Sequence, residues 1–204
     1  MVREQIYLRN AALDDYHYCL LVIGLIGHFS LVYLQNCIIH VIQGETEECE
    51  LFDSSTATPL HWLSIAHPNT VRWEGAKAAV CSDRVCVFGG WTRDVKEIQT
   101  VEEYDSASNG WTELTDARMP QFGRVLFGIG TLTMTLSGVN DTLVYIVGGA
   151  IDKNSRHLNT VLRFSGKEKR WLSTDAHSLP IQCCYNAVAT INMPVNRIAQ
   201  LRQQ

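Results

Sequence analysis

The stretch RVCVFGGWTRDVKEIQTVEEYDSASNGWTELTD, residues 84–116, decides how this chain folds. It opens on Val85, Val87 and Phe88 and closes that run with Gly89 and Gly90, the signature of a short strand. VEEYDSA (101–107) and GWTELTD (110–116) follow as two more strands, and GAKAAVCSD (75–83) precedes them as the first. Downstream the same layout returns as GRVLFGIG (123–130), LVYIVGG (143–149), TVLRFSG (160–166) and RWLSTD (170–175). Upstream a looser copy reads HFSLVYLQN (28–36), CIIHVIQG (37–44), CELFDSS (49–55) and LHWLSIA (60–66).

The spacings agree with one another. Gly44 to Gly90 is 46 residues and Trp62 to Trp111 is 49; Gly90 to Gly149 is 59 and Trp111 to Trp171 is 60. The longer second interval falls between the first and second strands of the third copy. There Thr133, Ser137, Gly138, Asn140 and Asp141 predict a turn-rich loop. Tyr104 to Trp111 and Phe164 to Trp171 are both 7 residues apart. An ordered set of marks recurring at a fixed period is an internal repeat. No helical period is sustained past residue 35. The paired glycines would let the backbone turn and pass close to a neighbour without a Cβ clash.

These residues resemble the kelch repeat, a unit of about 50 residues. Its pattern is a strand ending in Gly-Gly, a Tyr on the third strand and a Trp opening the fourth. Gly89, Gly90, Tyr104 and Trp111 fill it in one unit; Gly148, Gly149, Phe164 and Trp171 fill it in the next. The first unit departs, with Gly44 alone, Phe52 for Tyr, and Trp62 ten residues beyond Phe52. The resemblance implies an all-β fold, a partial kelch β-propeller of about three four-stranded antiparallel blades and the start of a fourth. The repeats would cover 28–192, as 28–66, 75–116, 123–175 and a partial unit at 181–192. Residues 1–27 form an N-terminal segment, a remnant of an upstream helical domain or an earlier strand; 193–204 form a tail. AALDDYHY (11–18) resembles the junction that joins a helical domain to the repeats in kelch-like adaptors. Three blades do not close a ring, so another chain is one way to complete it. The Trp positions would be packing residues between blades.

Composition narrows the function classes. At 204 residues, 46% hydrophobic and 19% charged, the chain can bury a core. A net charge of -4 without a basic run argues against nucleic acid. Residues 19–34 form an apolar run, read as buried strands in preference to a membrane segment. The seven Cys show neither a disulfide framework nor zinc-ligand spacing. His177 with Cys183 and Cys184 is the nearest approach to a metal set, and a reducing, cytoplasmic setting is the simpler expectation.

No phosphate-binding loop, HExxH or GxSxG occurs, and no catalytic, cofactor or metal residues are assigned. Glu102–Glu103 is expected to place one carboxylate in solvent. Some propellers related to kelch are copper oxidases, but no matching ligand constellation stands here, so an enzyme is not expected. What the resemblance implies instead is a protein–protein interaction module similar to the substrate-receptor part of a cullin-type ubiquitin ligase adaptor. The alternatives are an actin-binding or scaffold protein, or a truncated product that needs another chain. Ligase recruitment would come from upstream domains, so the chain alone should not bind a cullin. The contact loops would be 91–100, 150–159 and 116–123, with Trp91, Arg93, Lys96, Arg156, His157 and Gln121 as candidates. In many substrate receptors an Arg two residues before the first-strand Gly binds acidic peptides. Gln121 before Gly123 and Trp73 before Gly75 put that chemistry in doubt.

Overall fold

The computed structural model describes residues 12–13, 17–18, 29–34, 37–42, 49–53, 62–94, 96–136, 139–151, 156–172 and 178–189. Every regular element among them is a strand. β1 (Ala12–Leu13) and β2 (His17–Tyr18) form a small antiparallel pair. Three four-stranded antiparallel sheets follow, each in sequence order. The first is β3 (Phe29–Leu34), β4 (Cys37–Ile42), β5 (Cys49–Asp53) and β6 (Trp62–Ile65). The second is β7 (Lys77–Cys81), β8 (Arg84–Phe88), β9 (Val101–Asp105) and β10 (Gly110–Glu113). The third is β11 (Gly128–Leu136), β12 (Val139–Val147), β13 (Val161–Ser165) and β14 (Arg170–Trp171). This is an all-β, partial β-propeller of three blades, as the repeat predicted. Of the apolar run 19–34, residues 29–34 are β3; the rest, with Gly44 and the tail, lie outside the described residues.

The register explains the spacing of the aromatics. Trp111 pairs with Tyr104, Trp171 with Phe164 and Trp62 with Phe52. In the second and third sheets a four-residue turn separates the two strands, with Asn109 and Lys169 at φ 47° and 52°, which fixes the interval. In the first sheet the connection is longer, so the same register pair sits further apart in sequence.

The sheets stack through two apolar interfaces. Alternation along each strand sends successive side chains to opposite faces. Ala78, Val85, Val87, Tyr104 and Trp111 of the second sheet pack with Cys49, Leu51 and Ile65 of the first. Ala79, Cys81, Cys86, Phe88 and Val101 on its other face pack with Phe127, Val144, Ile146, Leu162 and Phe164 of the third. Phe88 meets Phe164 edge-on at 5.4 Å and Trp171 at 6.0 Å. Each Trp also ties its blade to the preceding one: Trp111 Nε1 donates to the Ala66 carbonyl at 2.7 Å, and Trp171 Nε1 to that of Ala117 at 2.8 Å. Both tryptophans therefore pack between blades.

Three expectations need correction. The third unit's first strand begins at Gly128, not at Gly123, and residues 123–127 are a lead-in. The surplus in that unit is not a turn-rich loop: β11 and β12 run 9 residues each, because Leu132, Thr133, Met134 and Thr135 carry the strand alternation outward. The partial fourth unit shows no regular strand among residues 178–189. It supplies the next lead-in, bridged to Leu158 through Cys183.

Candidate interaction surface

Antiparallel order sorts the connections to two ends of the sheets. Lys77 pairs with Phe88 and Phe88 with Val101, so 89–100 leaves and re-enters at one end; Glu113 pairs with Glu102, so 114–127 leaves at that same end. The tight hairpin turns at 82–83 and 106–109 occupy the other. Gly90 N donates to the Arg124 carbonyl and Gly149 N to the Cys183 carbonyl, which brings each blade's second connection against the next blade's lead-in. All six candidate contact residues consequently lie at one end of the propeller.

The Gly-Gly pairs are what make this approach possible. Gly89 and Gly90 have φ 60° and 98°, and Gly148 and Gly149 have 62° and 99°. A Cβ on Gly89 would overlap the Arg124 carbonyl oxygen and come 2.8 Å from the Phe127 ring. One on Gly149 would stand 2.8 Å from the Val125 carbonyl oxygen. The backbone itself is the packing surface here.

The six candidates take different parts. Trp91 is buried, bridging Glu74 and Glu97 and packing on Val125 and Ala150, so it is a framework residue and not an exposed anchor. Arg93 is exposed and its guanidinium lies 5.3 Å from the centroid of the Trp73 ring. Lys96 is exposed, and the Thr92 hydroxyl holds its backbone N–H. Arg156 is exposed, and its carbonyl accepts from Ile151 N–H. Gln121 is exposed at φ 69°, its carbonyl accepting from Gln99 Nε2. His157 is half-buried with Nε2 3.2 Å from Cys184 Sγ.

Sequence reasoning missed the most regular polar feature of this end. Arg72 donates to the Gly89 carbonyl and to Thr100 O and Oγ1, the last two at 3.2 Å, and pairs with Glu102 at 3.0 Å. Arg124 donates to the carbonyls of Gly148 and Thr160 at 3.1 and 3.0 Å, and to Thr160 Oγ1 at 2.8 Å. Both are buried, and each ties the Gly-Gly end of the second strand to the start of the third in its own blade. Their offsets differ because of a bulge. Trp91 receives a bond from Trp73 N–H but donates to the Glu74 carbonyl, whereas Ala150 exchanges both bonds with Val125. One extra residue therefore separates Arg72 from the turn. The left-handed residue before the first strand is Gly75 in one blade and Leu126 in the next. Two residues before it stand Trp73 and Arg124, not Gln121. Arg124 is spent on backbone carbonyls, so it does not face a ligand.

Burial pushes the Arg72 guanidinium down from its ordinary value, opposed by Glu102; Arg124, without that partner, is pushed down to about 10. Leu162 stands in the third sheet where Glu102 stands in the second. The expectation of one solvated carboxylate at Glu102–Glu103 fails, since both are buried. Glu102 also accepts from the Asn69 and Thr70 N–H groups, and Glu103 from Lys169 Nζ at 2.8 Å. Alternation does point the two to opposite faces, but each face is a blade interface.

Large apolar side chains are exposed at this end as well. Phe122, Ile181 and Tyr185 are 47%, 70% and 78% exposed, and Val71 is 39% exposed. Phe122 and Ile181 occupy the same place in consecutive lead-ins, four residues before the left-handed Leu126 and Tyr185. Among the described residues no group of three or more His, Cys, Asp or Glu could hold a metal ion. His177 lies outside them. Cys81, Cys86, Cys183 and Cys184 are free thiols. The neighbouring Cys86 and burial together hold the Cys81 thiol well above its ordinary range, so it stays protonated. Among the described residues no helix is long and apolar enough to cross a membrane.

No family model matches the chain, and no curated protein matches it. Solved structures do. The structure of YjhT aligns with a TM-score of 0.57 at 16% identity, covering 77% of this chain and 53% of that one. The likeness is one of fold, and this chain spans about half the length of that structure.

Proposed function

We propose that this chain is a kelch-repeat protein–protein interaction module, most similar in role to the substrate-receptor part of a cullin-type ligase adaptor, with no catalytic step of its own. One observation carries the reading. The end of the sheets that carries the 89–100 and 114–127 connections also exposes Val71, Phe122, Ile181 and Tyr185, together with Arg93, Lys96 and Arg156. Exposed large apolar residues in company with Arg are the composition of a protein contact. The kelch assignment rests on the two Gly-Gly pairs, the register-matched aromatic–Trp pairs and the blade topology. A cytoplasmic, reducing location accords with the free thiols buried at the blade interfaces.

The runner-up is an actin-binding or scaffold protein using the same end. Immobilised chain exposed separately to cullin, to filamentous actin and to cell extract distinguishes these readings. Phe122→Ser and Arg93→Glu should each lower capture of the bound protein by about tenfold or more, the loss expected of an interface anchor. Substitutions at Asp83 and Ser108 in the opposite turns should leave capture unchanged. Capture that follows Asp83 and Ser108 instead overturns the assignment.

A further inference from the structure

We infer that Cys184 is a thiol-modification site, a nucleophile paired with His157 that takes up a small disulfide as a mixed disulfide. Comparison of successive seams of the propeller carries this. Where the second blade meets the third blade's lead-in, the seam holds Trp91, Glu97 and Val125; Trp91 bridges Glu97 and packs on Val125. One blade on, the same three places are held by Ala150, His157 and Cys184. Ala150 bridges His157 as Trp91 bridges Glu97, and Cys184 precedes the left-handed Tyr185 as Val125 precedes Leu126. The indole has no counterpart there, and an imidazole meets a thiol instead: Cys184 Sγ stands 3.2 Å from His157 Nε2. Three changes at one repeated seam turn an apolar contact into a nucleophile within reach of a base.

Orientation makes the site selective. A Cβ on Gly148 would come 2.6 Å from Cys183 Sγ, so that thiol lies against the Gly-Gly turn. Cys183 also fixes the lead-in through its backbone, donating to the Leu158 carbonyl and accepting from Gly149 N–H. Cys184 turns to His157 instead, and both members of the pair are half-buried, within reach of solvent. Cys81 and Cys86, at 1% and 0% exposed, are sealed between blades.

The chemistry follows from the pair. Burial and the neighbouring Cys183 raise the Cys184 thiol above its ordinary value, so at neutral pH it is protonated and does not attack unaided. His157 Nε2 accepts that proton as Sγ attacks one sulfur of the disulfide. A new S–S bond forms and the old one breaks. The electron pair leaves on the second sulfur, and the imidazolium returns the proton to that thiolate. The disulfide is the oxidant and its released half is the reduced product, so nothing else is consumed. A free thiol reverses the step. The adduct would stand next in the chain to Tyr185, at the end of the propeller where large apolar residues are exposed.

Glutathione disulfide added to the purified chain, with adducts mapped by mass spectrometry, tests this. Among the described cysteines Cys184 should carry the adduct. Cys184→Ser should remove it from that peptide, and Cys183→Ser should leave it. His157→Gln should slow uptake by about tenfold or more, the scale of a lost proton-transfer partner. The same variant should lose less with an aromatic disulfide, whose thiolate leaves without a proton; a merely structural role would slow both alike. Should His157→Gln fail to fold, the wild type decides: Cys184, though half-buried, should react at least as fast in the folded chain as in urea. An adduct on Cys183, uptake indifferent to His157→Gln, equal slowing with both disulfides, or faster reaction in urea than in the folded chain overturns the inference. No partner protein enters the measurement, so its outcome is separate from that of the capture experiment.

Discussion

At the scale of single residues, three kinds of position set the fold: glycines that surrender a Cβ, tryptophans that reach the previous blade, and a tyrosine that must stay neutral. Gly89→Ala combines a left-handed φ with an overlap against the Arg124 carbonyl, so it should cost about 2–4 kcal/mol in urea unfolding. Gly110→Ala has its nearest neighbour at 3.6 Å and should stay within about 0.5 kcal/mol. Trp171→Phe keeps a ring but strands the Ala117 carbonyl, an expected loss of about 1–2 kcal/mol. Burial raises the Tyr104 phenol, whose O–H donates to Asn109 Oδ1 at 3.0 Å. An acid with a raised value in the folded state ionises first when unfolded. Its stabilisation is therefore complete below the ordinary phenol range of about 10 and is lost as pH climbs above it. Denaturant midpoints measured across that range should fall more steeply for the wild type than for Tyr104→Phe.

At the scale of elements, the buried arginines decide how firmly each Gly-Gly end is held to the third strand. Glu102→Ala leaves Arg72 charged and without its ion-pair partner in a dry setting, and removes the acceptor of two backbone N–H groups. The expected loss is about 3–5 kcal/mol. Arg124→Met frees the Gly148 carbonyl, while that of Thr160 keeps the Gly148 N–H, and it also removes an uncompensated charge, so it should cost less, about 1–3 kcal/mol. Thermal unfolding of the two variants in parallel checks the order. The strands of the second sheet were legible from alternation and glycine alone, because Val85–Phe88 and Val101–Tyr104 form runs with clear ends. The arginines were not. A one-residue bulge at Trp73–Glu74 shifts Arg72 against Arg124, and anchoring the comparison on Gly75 and Gly123 hid their common role. Leu126 holds the left-handed position that glycine fills one blade earlier, so a search for glycine looked in the wrong place. The exposed Phe122 and Ile181 were missed for the same reason: nothing in their own residue type distinguishes a lead-in surface from a core.

At the scale of the whole molecule, stability is a chain of nearest-neighbour contacts, and the second sheet is packed on both faces. That asymmetry predicts what a core truncation does to cooperativity. Phe88 carries the contact with Phe164 and Trp171, so Phe88→Ala should cost about 3–5 kcal/mol. The third sheet keeps its own long hairpin, β11 on β12, and so retains structure when that contact weakens. Unfolding of Phe88→Ala followed by tryptophan fluorescence and by far-UV circular dichroism should then give transitions that no longer coincide. Trp171, at the damaged interface, should report first, and the apparent m-value should drop. Ile129→Val, on the same interface but only trimming a partly buried side chain, should shift the midpoint and leave the probes superimposed. Coincident transitions for Phe88→Ala would mean that the three sheets melt as one unit. In that case the coupling between blades would run through the Gly-Gly lead-ins and the Trp171–Ala117 bond more than through the aromatic cluster.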